Sequence, residues 1–467
     1  MVPVTTATQG DVYEVVNPST LEVVDEVSTS TPADVDAAIG RAASAQPDWY
    51  AAGYTERAAV MAASARTIAD NVDELASLLT REQGKPLAEA KIEVLRTAGT
   101  LSYYAELPAA EKSPARELGD GVSGYLLRLP LGVCAAIVPW NFPLALLINK
   151  LAPALITGNA VVAKPSPTTP LASTRVVELM LEAGVPGGVL ELAIGGRDVG
   201  VQLIQHPLVR MISFTGSTHT GREVMSLAAE GLKRLTLELG GNDAFIVHGD
   251  ADLDSALNAA VSSRFFNTGQ GCIATKRIYA HSPIHERFTS LLAERIAGLK
   301  VGDGFDPEVK VGPLHTAQQR EAVERLTVDA VARGATISVG GGRPDDVGPG
   351  YFLEPTLIVG TSDDAQLLTE ECFGPVLPVF SYESIGEAID RANATRYGLG
   401  SSVWTSDPAV IEAAVTMLQA GYTWVNTTAL IYEAMPHGGM KESGFGKEKG
   451  PEALDEYSEW KSVIRSD

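Results

Sequence analysis

The chain has little that could cross-link it or hold it to nucleic acid. Its 467 residues include only three cysteines, Cys134, Cys272 and Cys372, odd in number and far apart, which gives no disulfide framework and suits a reducing compartment. Basic residues are outnumbered, 36 against 58 acidic, for a formal charge of −22, and no stretch is rich in Lys or Arg. The basic face that a phosphate backbone requires is therefore missing; no nucleic-acid partner is expected, and the acidity reads as solubility. The opening residues Met1-Val2-Pro3-Val4-Thr5-Thr6 lack the basic region and apolar run of a secretory signal. Leu129 to Asn149 carries no charge, but Pro130, Gly132, Pro139, Asn141 and Pro143 interrupt it. It reads as a buried strand, a loop and a helix start, not a membrane span, and a soluble cytoplasmic protein is expected. Metal ligands are sparse: Pro283 separates His281 from His285 and argues against a regular helix there, so no metal is expected. A Gly-x-Gly-x-x-Gly fingerprint is absent, with Gly195-Gly196-Arg197-Asp198-Val199-Gly200 the nearest approach.

The apolar content, 45%, suits a packed globular protein, and the length suits two or three domains. Helical stripes recur at Ile68, Val72, Leu75 and Leu79 and at Phe288, Leu292, Ile296 and Leu299. Short apolar runs at Val133–Val138, Ala160–Ala163, Leu190–Ile194 and Met211–Phe214 are spaced by helix-length segments, the pattern of a parallel sheet covered by helices. A second such pattern starts after Gly241, at Ala244–Val247, and continues past Ala335–Val339. Between Lys112 and Leu131 the texture changes to that of a hairpin, whose exposed edges need a partner; with the tail from Tyr457 to Ile464 it is the candidate subunit contact.

Two reactive groups stand on glycine-bounded turns: Cys272 in Gly269-Gln270-Gly271-Cys272 and Glu238 in Glu238-Leu239-Gly240-Gly241. A thiol and a carboxylate so presented are what a covalent mechanism with a later hydrolytic step requires. Each remaining signal has an ordinary alternative. Asn141 in Pro139-Trp140-Asn141-Phe142-Pro143 suits a turn, Lys164 in Lys164-Pro165-Ser166 a solvated strand end, and Ser217 in Phe214-Thr215-Gly216-Ser217-Thr218 a helix N-cap that can also bind phosphate. Cys134 reads as inert core, and the acids before Cys372 should discourage its thiolate.

Taken in order, these segments together with Glu371-Cys372-Phe373-Gly374-Pro375 resemble the aldehyde dehydrogenase superfamily over nearly the whole chain. The resemblance implies two Rossmann-like α/β domains and a small β oligomerisation element. The dinucleotide-binding domain would take residues 1–111 and 132–240, the catalytic domain 241–440, and the oligomerisation element 112–131 and 441–467, in a homodimer or homotetramer. It implies attack by Cys272 on an aldehyde, an oxyanion held by Asn141 and the Cys272 N–H, hydride transfer to give a thioester, and hydrolysis by water that Glu238 activates. Lys150 and Glu448 match a proton-relay pair, with a buried structural ion pair an equally good account. Glu371 and Phe373 would contact the nicotinamide riboside, and Trp140, Lys164, Ser166, Gly195, Gly216 and Ser217 the rest of the dinucleotide. NAD-preferring relatives commonly carry Glu where this chain has Pro167, so NADP should be tolerated as well as NAD.

Phe142, Leu146, Phe266 and Ile273 suggest an apolar tunnel for aliphatic or aromatic aldehydes of moderate size. Asn149 stands where semialdehyde members often place Arg, which lowers a succinate-semialdehyde assignment. Glu433 could attract the ammonium of an aminoaldehyde, although a solvated loop acid is the more ordinary account. A catalytically silent relative with a binding role is the rival class, disfavoured because Cys272, Glu238, Asn141 and Glu371 are all retained.

Overall fold

A computed structural model of the chain describes residues 12–109 and 111–466. Strand Val133–Ile137 shows why a continuous apolar run forms an inner strand. Val133, Ala135 and Ile137 enter one hydrophobic cluster while Cys134 and Ala136 enter another on the opposite face. Helices cover both faces, so neither can be polar.

Its six-stranded sheet runs Gly444–Phe445, Arg234–Glu238, Val209–Thr215, Val133–Ile137, Ala160–Lys164, Leu190–Leu192, parallel except at Gly444–Phe445. The strand order reverses between Val133–Ile137 and Val209–Thr215, which opens a crevice at the strands' C-terminal ends. Trp140 and Asn141 follow one of these strands, and Gly216 and Ser217 follow the other. The second sheet has seven strands in the order Thr336–Val339, Thr356–Val359, Val376–Tyr382, Arg277–His281, Ala244–Val247, Gly400–Trp404, Tyr422–Val425, with only the first pair antiparallel.

The expected hairpin is present as Arg116–Gly119 and Val122–Pro130, and the tail strand Ser458–Ser466 pairs along the whole of Val122–Pro130. The C-terminal stretch is not confined to that unit, however, because Gly444–Phe445 closes the edge of the six-stranded sheet beside Glu238.

Two local expectations need correction. The stripe from Ile68 to Leu79 spans two helices, Tyr54–Asp70 and Val72–Gln83, broken at Asn71. Pro283 does not prevent a helix: it lies in the first turn of Ser282–Ala297, where its missing N–H has no intrahelical partner to lose. Leu299 falls beyond that helix. Among the described residues no helix is long and apolar enough to cross a membrane, and no group of three or more His, Cys, Asp or Glu is placed to hold a metal.

Candidate active site

Helix Leu253–Phe265 ends in a turn with three successive left-handed residues, Asn267 at φ 50°, Thr268 at 58° and Gly269 at 74°. Such strain persists only where the surroundings over-determine it. Here the Asn267 N–H donates to Glu89 Oε2 at 2.7 Å, and its Nδ2 donates to the Asn141 carbonyl at 2.8 Å. A Cβ on Gly269 would lie 2.4 Å from the Gly374 carbonyl, so only glycine fits. Three residues on stands the half-buried Cys272, fixed by Lys276 Nζ, which donates to the carbonyls of Gly271 at 2.7 Å and Cys272 at 2.9 Å. Burial pushes the Cys272 thiol up to about 12, with the Lys276 ammonium pulling the other way.

Asn141 is buried and donates from Nδ2 to the Gln270 carbonyl at 3.0 Å, which leaves its second amide proton available. Its carbonyl also accepts from Lys85 Nζ at 2.8 Å. It is thus more than a turn residue, being tied directly to the cysteine loop.

Glu238 ends its strand buried, with no hydrogen bond at Oε1 and with Oε2 3.9 Å from His437 Nε2. Burial, then the nearby charge of Glu448, hold its carboxyl well above the usual range against the pull of Lys150. His437 is also buried, and this lowers it to about 4, so it is neutral at physiological pH. Lys150 and Glu448 form a fully buried ion pair, and Lys150 Nζ donates to Thr215 Oγ1 at 2.7 Å. Asn149 Nδ2 lies 3.4 Å from the other Glu448 oxygen.

Lys164 is buried, not a solvated strand end. Its Nζ approaches the Pro165 carbonyl at 3.4 Å, no carboxylate pairs with it among the described residues, and burial lowers it to about 8. A buried cation without a counter-charge is a ready anion site. Gly195 and Gly216 have no room for a side chain, since a Cβ would lie 2.5 Å from Val199 Cγ2 and 2.4 Å from Phe214 Cζ. Ser217 caps helix Thr218–Ala229 by accepting from Thr220 N at 3.2 Å, while Ser166 bonds Thr168 Oγ1 at 3.0 Å in the turn that also holds Pro167. Trp140 stacks on His315 at 4.6 Å between centroids and meets Phe373 edge-on at 5.7 Å. Glu371 accepts from the Gly241 N–H at 3.0 Å and lies 3.8 Å from Lys276 Nζ. Burial is the main cause that raises the Cys372 thiol, and the expected charge of Glu371 adds to it, while Arg264, donating to Sγ at 3.4 Å, works against both.

Phe142, Leu146, Asn149, Phe266, Ile273 and Glu433 line one cavity of about 420 Å³, with Cys272 and His437 in its wall. Phe142 and Phe266 stack there at 6.1 Å. Glu433 is neither a solvated acid nor a free one: both its oxygens accept from Lys449 Nζ at 2.7 Å, and Lys449 is buried.

Motif reading missed Lys85, Glu89, Glu93 and Lys276, which lie in no segment that reads as chemistry, and His437, whose segment Glu433–Gly439 drew notice only for its acid. Only the helix spacing of Glu89 and Glu93 could have placed those two on one face.

A cysteine in the wall of a cavity, together with a crevice at the C-terminal ends of a parallel sheet, is the setting of a dinucleotide-dependent α/β enzyme. The aldehyde dehydrogenase family model matches residues 4–463, and the chain belongs to that family, whose members are oxidoreductases acting on aldehydes. It is similar to the betaine aldehyde dehydrogenase of Rhizobium etli, 39% identical over 98% of this chain and 94% of the relative. Among solved structures it is similar to an NADP-dependent enzyme of E. coli, at TM-score 0.95 and 35% identity over 99% of this chain and 96% of that one. A Staphylococcus aureus betaine aldehyde dehydrogenase in complex with NAD+ also matches, at TM-score 0.95 and 35% identity over 98% of this chain and 93% of that one. The fold is that of aldehyde dehydrogenases.

Proposed function

We propose that the chain oxidises an aldehyde to a carboxylic acid with NAD or NADP, using Cys272 as nucleophile and Glu238 as the base of the hydrolytic step. What carries the reading is that Cys272 and His437 share the wall of the cavity, with Glu238 Oε2 3.9 Å from His437 Nε2. The dinucleotide fits the residues present: Lys164 lacks a counter-charge, the helix capped by Ser217 offers its N-terminus, and Glu371 presents a carboxylate where ribose hydroxyls need acceptors. When bound, it supplies the hydride acceptor.

Cys272 loses its proton and adds to the carbonyl carbon, and the oxygen takes up the electron pair. The free Nδ2–H of Asn141 and the Cys272 N–H hold that oxyanion, each such donor being worth ~2.7–4 kcal/mol in comparable sites. Loss of hydride leaves a thioester on Cys272. Glu238 takes a proton from water, which adds to the thioester carbon, and the thiol leaves as the acid forms. The charges of the buried Lys150–Glu448 pair act on Glu238, which supports a part for the pair in relaying its proton, a buried structural ion pair being an equally good account.

Apolar aliphatic or aromatic aldehydes of moderate size are the lead substrates, supported by the stacked Phe142 and Phe266 in the wall. Aminoaldehydes are the second reading, favoured by the names of the Rhizobium and Staphylococcus relatives. The engagement of Glu433 by Lys449 counts against them. Assembly as a homodimer or homotetramer is supported by the edge strand Ser458–Ser466, which leaves Trp460 and Ile464 exposed.

The test is Cys272→Ala, which should abolish reduced-cofactor production from every aldehyde yet keep NAD(P) binding. Turnover at the parental rate would overturn the reading, whereas a parent inactive on every aldehyde would favour a silent relative. A panel of neutral and cationic aldehydes, run with NAD and with NADP, identifies substrate and cofactor.

A further inference from the structure

We propose that Lys85, Glu89 and Glu93 form a brace that sets the spacing between Asn141 and Cys272, and are positioning residues for the oxyanion pocket. The inference rests on the catalytic reading above, but its geometry is independent of it.

The three residues lie at and just beyond the junction of two helices. Helix Val72–Gln83 ends at Gly84, which at φ 98° terminates it in a left-handed cap. Lys85 follows, and helix Leu87–Glu106 then carries Glu89 and Glu93 one turn apart on the same face. Lys85 and Glu93 are buried and pair at 2.5 Å. Lys85 Nζ also donates to the Asn141 carbonyl and sits 4.2 Å from the centre of the Phe142 ring. Glu93 uses its second oxygen to accept from the Leu144 N–H at 3.0 Å and the Ala145 N–H at 3.3 Å, capping helix Pro143–Ile156, which has no side-chain cap of its own. Glu89 accepts from the N–H of Asn267, the first left-handed residue of the cysteine turn.

One helix face therefore grips both halves of the pocket, the Asn141 loop through Lys85 and Glu93 and the Cys272 turn through Glu89. The contacts the three make all go to backbone groups, to one another or to an aromatic face; Glu93 also lines the cavity, with both its oxygens already engaged by Lys85 and the Leu144 and Ala145 N–H groups. Burying the Lys85–Glu93 ion pair is expensive, and strained turns survive only where they are held. Positioning accounts for both.

The test compares Glu89→Leu, which loses the acceptor, with Glu89→Gln, which keeps a carbonyl oxygen for the Asn267 N–H. Glu89→Leu should lower kcat by roughly 10²-fold at little-changed KM for NAD(P), and Glu89→Gln should recover most of it. If Glu89→Leu does not fold, Glu89→Asp retains charge and burial but withdraws the acceptor by one methylene, and should lower kcat without a matching fall in Tm. The rate at which iodoacetamide alkylates Cys272 gives a readout free of aldehyde chemistry, and it should change severalfold in Glu89→Leu or Glu89→Asp. Unchanged kcat and unchanged alkylation in a folded variant would overturn the brace. An active Cys272→Ala would instead overturn the catalytic reading, leaving the alkylation result to judge the brace.

Discussion

Glu238 Oε2 lies 3.9 Å from His437 Nε2, too far for a hydrogen bond, and Oε1 has no hydrogen-bond partner among the described residues. A buried carboxyl left this free is held by its fold in a form that takes up protons readily. Burial and Glu448 raise its pKa, so it is protonated at low pH and becomes a base only as pH rises.

If hydrolysis of the thioester depends on Glu238, Glu238→Gln should still deliver one equivalent of reduced cofactor in a rapid burst. Steady-state turnover should then fall by roughly 10²–10⁴-fold, the usual contribution of a general base. Stopped-flow absorbance of the reduced cofactor separates the phases. In the parent, kcat should climb with pH where hydrolysis limits the rate, and in the variant that climb should vanish.

The sequence was most legible where chemistry and backbone geometry coincide. Cys272 and Gly269 could be read because the glycine is forced by the approach of Gly374, and Ser217 because N-caps have a composition. Strands such as Val133–Ile137 were legible because two buried faces demand an unbroken apolar run. Partners that act across long separations were not. Lys85 reaches Asn141 and Lys449 reaches Glu433 through tertiary packing, and a lysine in sequence carries no mark of what it will face. The break at Asn71 was missed because a hydrophobic stripe can continue in phase across two helices that pack on one core.

Lys449 keeps Glu433 from serving as a receptor for a cationic substrate. Lys449→Met should release that carboxylate toward the cavity and lower KM for an aldehyde with a distal ammonium by roughly fivefold, the scale of a partly exposed ion pair. A neutral aldehyde of the same length should be unaffected. Equal changes for both would mean that the pair shapes the wall and does not set its charge preference.

Glu82 should make the protein less stable in alkali. It is fully buried, accepts from the Leu171 and Ala172 N–H groups at 2.8 and 3.0 Å, and is pushed by burial from its ordinary 4.5 up to about 8. With the folded pKa above the unfolded one, its contribution is complete below 4.5 and is lost as pH rises through about 8. The loss should be on the order of 2 kcal/mol, less than full burial implies because water enters as the site relaxes. Glu82→Gln removes the titrating group, so denaturation curves at pH 6 and pH 9 should lie closer together in the variant than in the parent.

Pro167 should govern the choice between the two dinucleotides. It lies three residues after Lys164, in a turn closed by the Ser166–Thr168 hydroxyl contact, and brings no charge to the crevice. Lys164 does bring one: at pH 7 an ammonium lowered to about 8 is still mostly charged, and it has no carboxylate of its own. A 2′-phosphate would therefore meet attraction without opposition, which predicts use of NADP beside NAD. Pro167→Glu places a carboxylate in the same turn, where it pairs with Lys164, accepts from ribose hydroxyls and repels a phosphate. KM for NADP should rise by roughly tenfold or more, as one desolvated like-charge contact requires, while KM for NAD stays level or falls. Raising the salt concentration should shrink the effect if it is electrostatic, because screening weakens a charge contact and leaves a steric one unchanged.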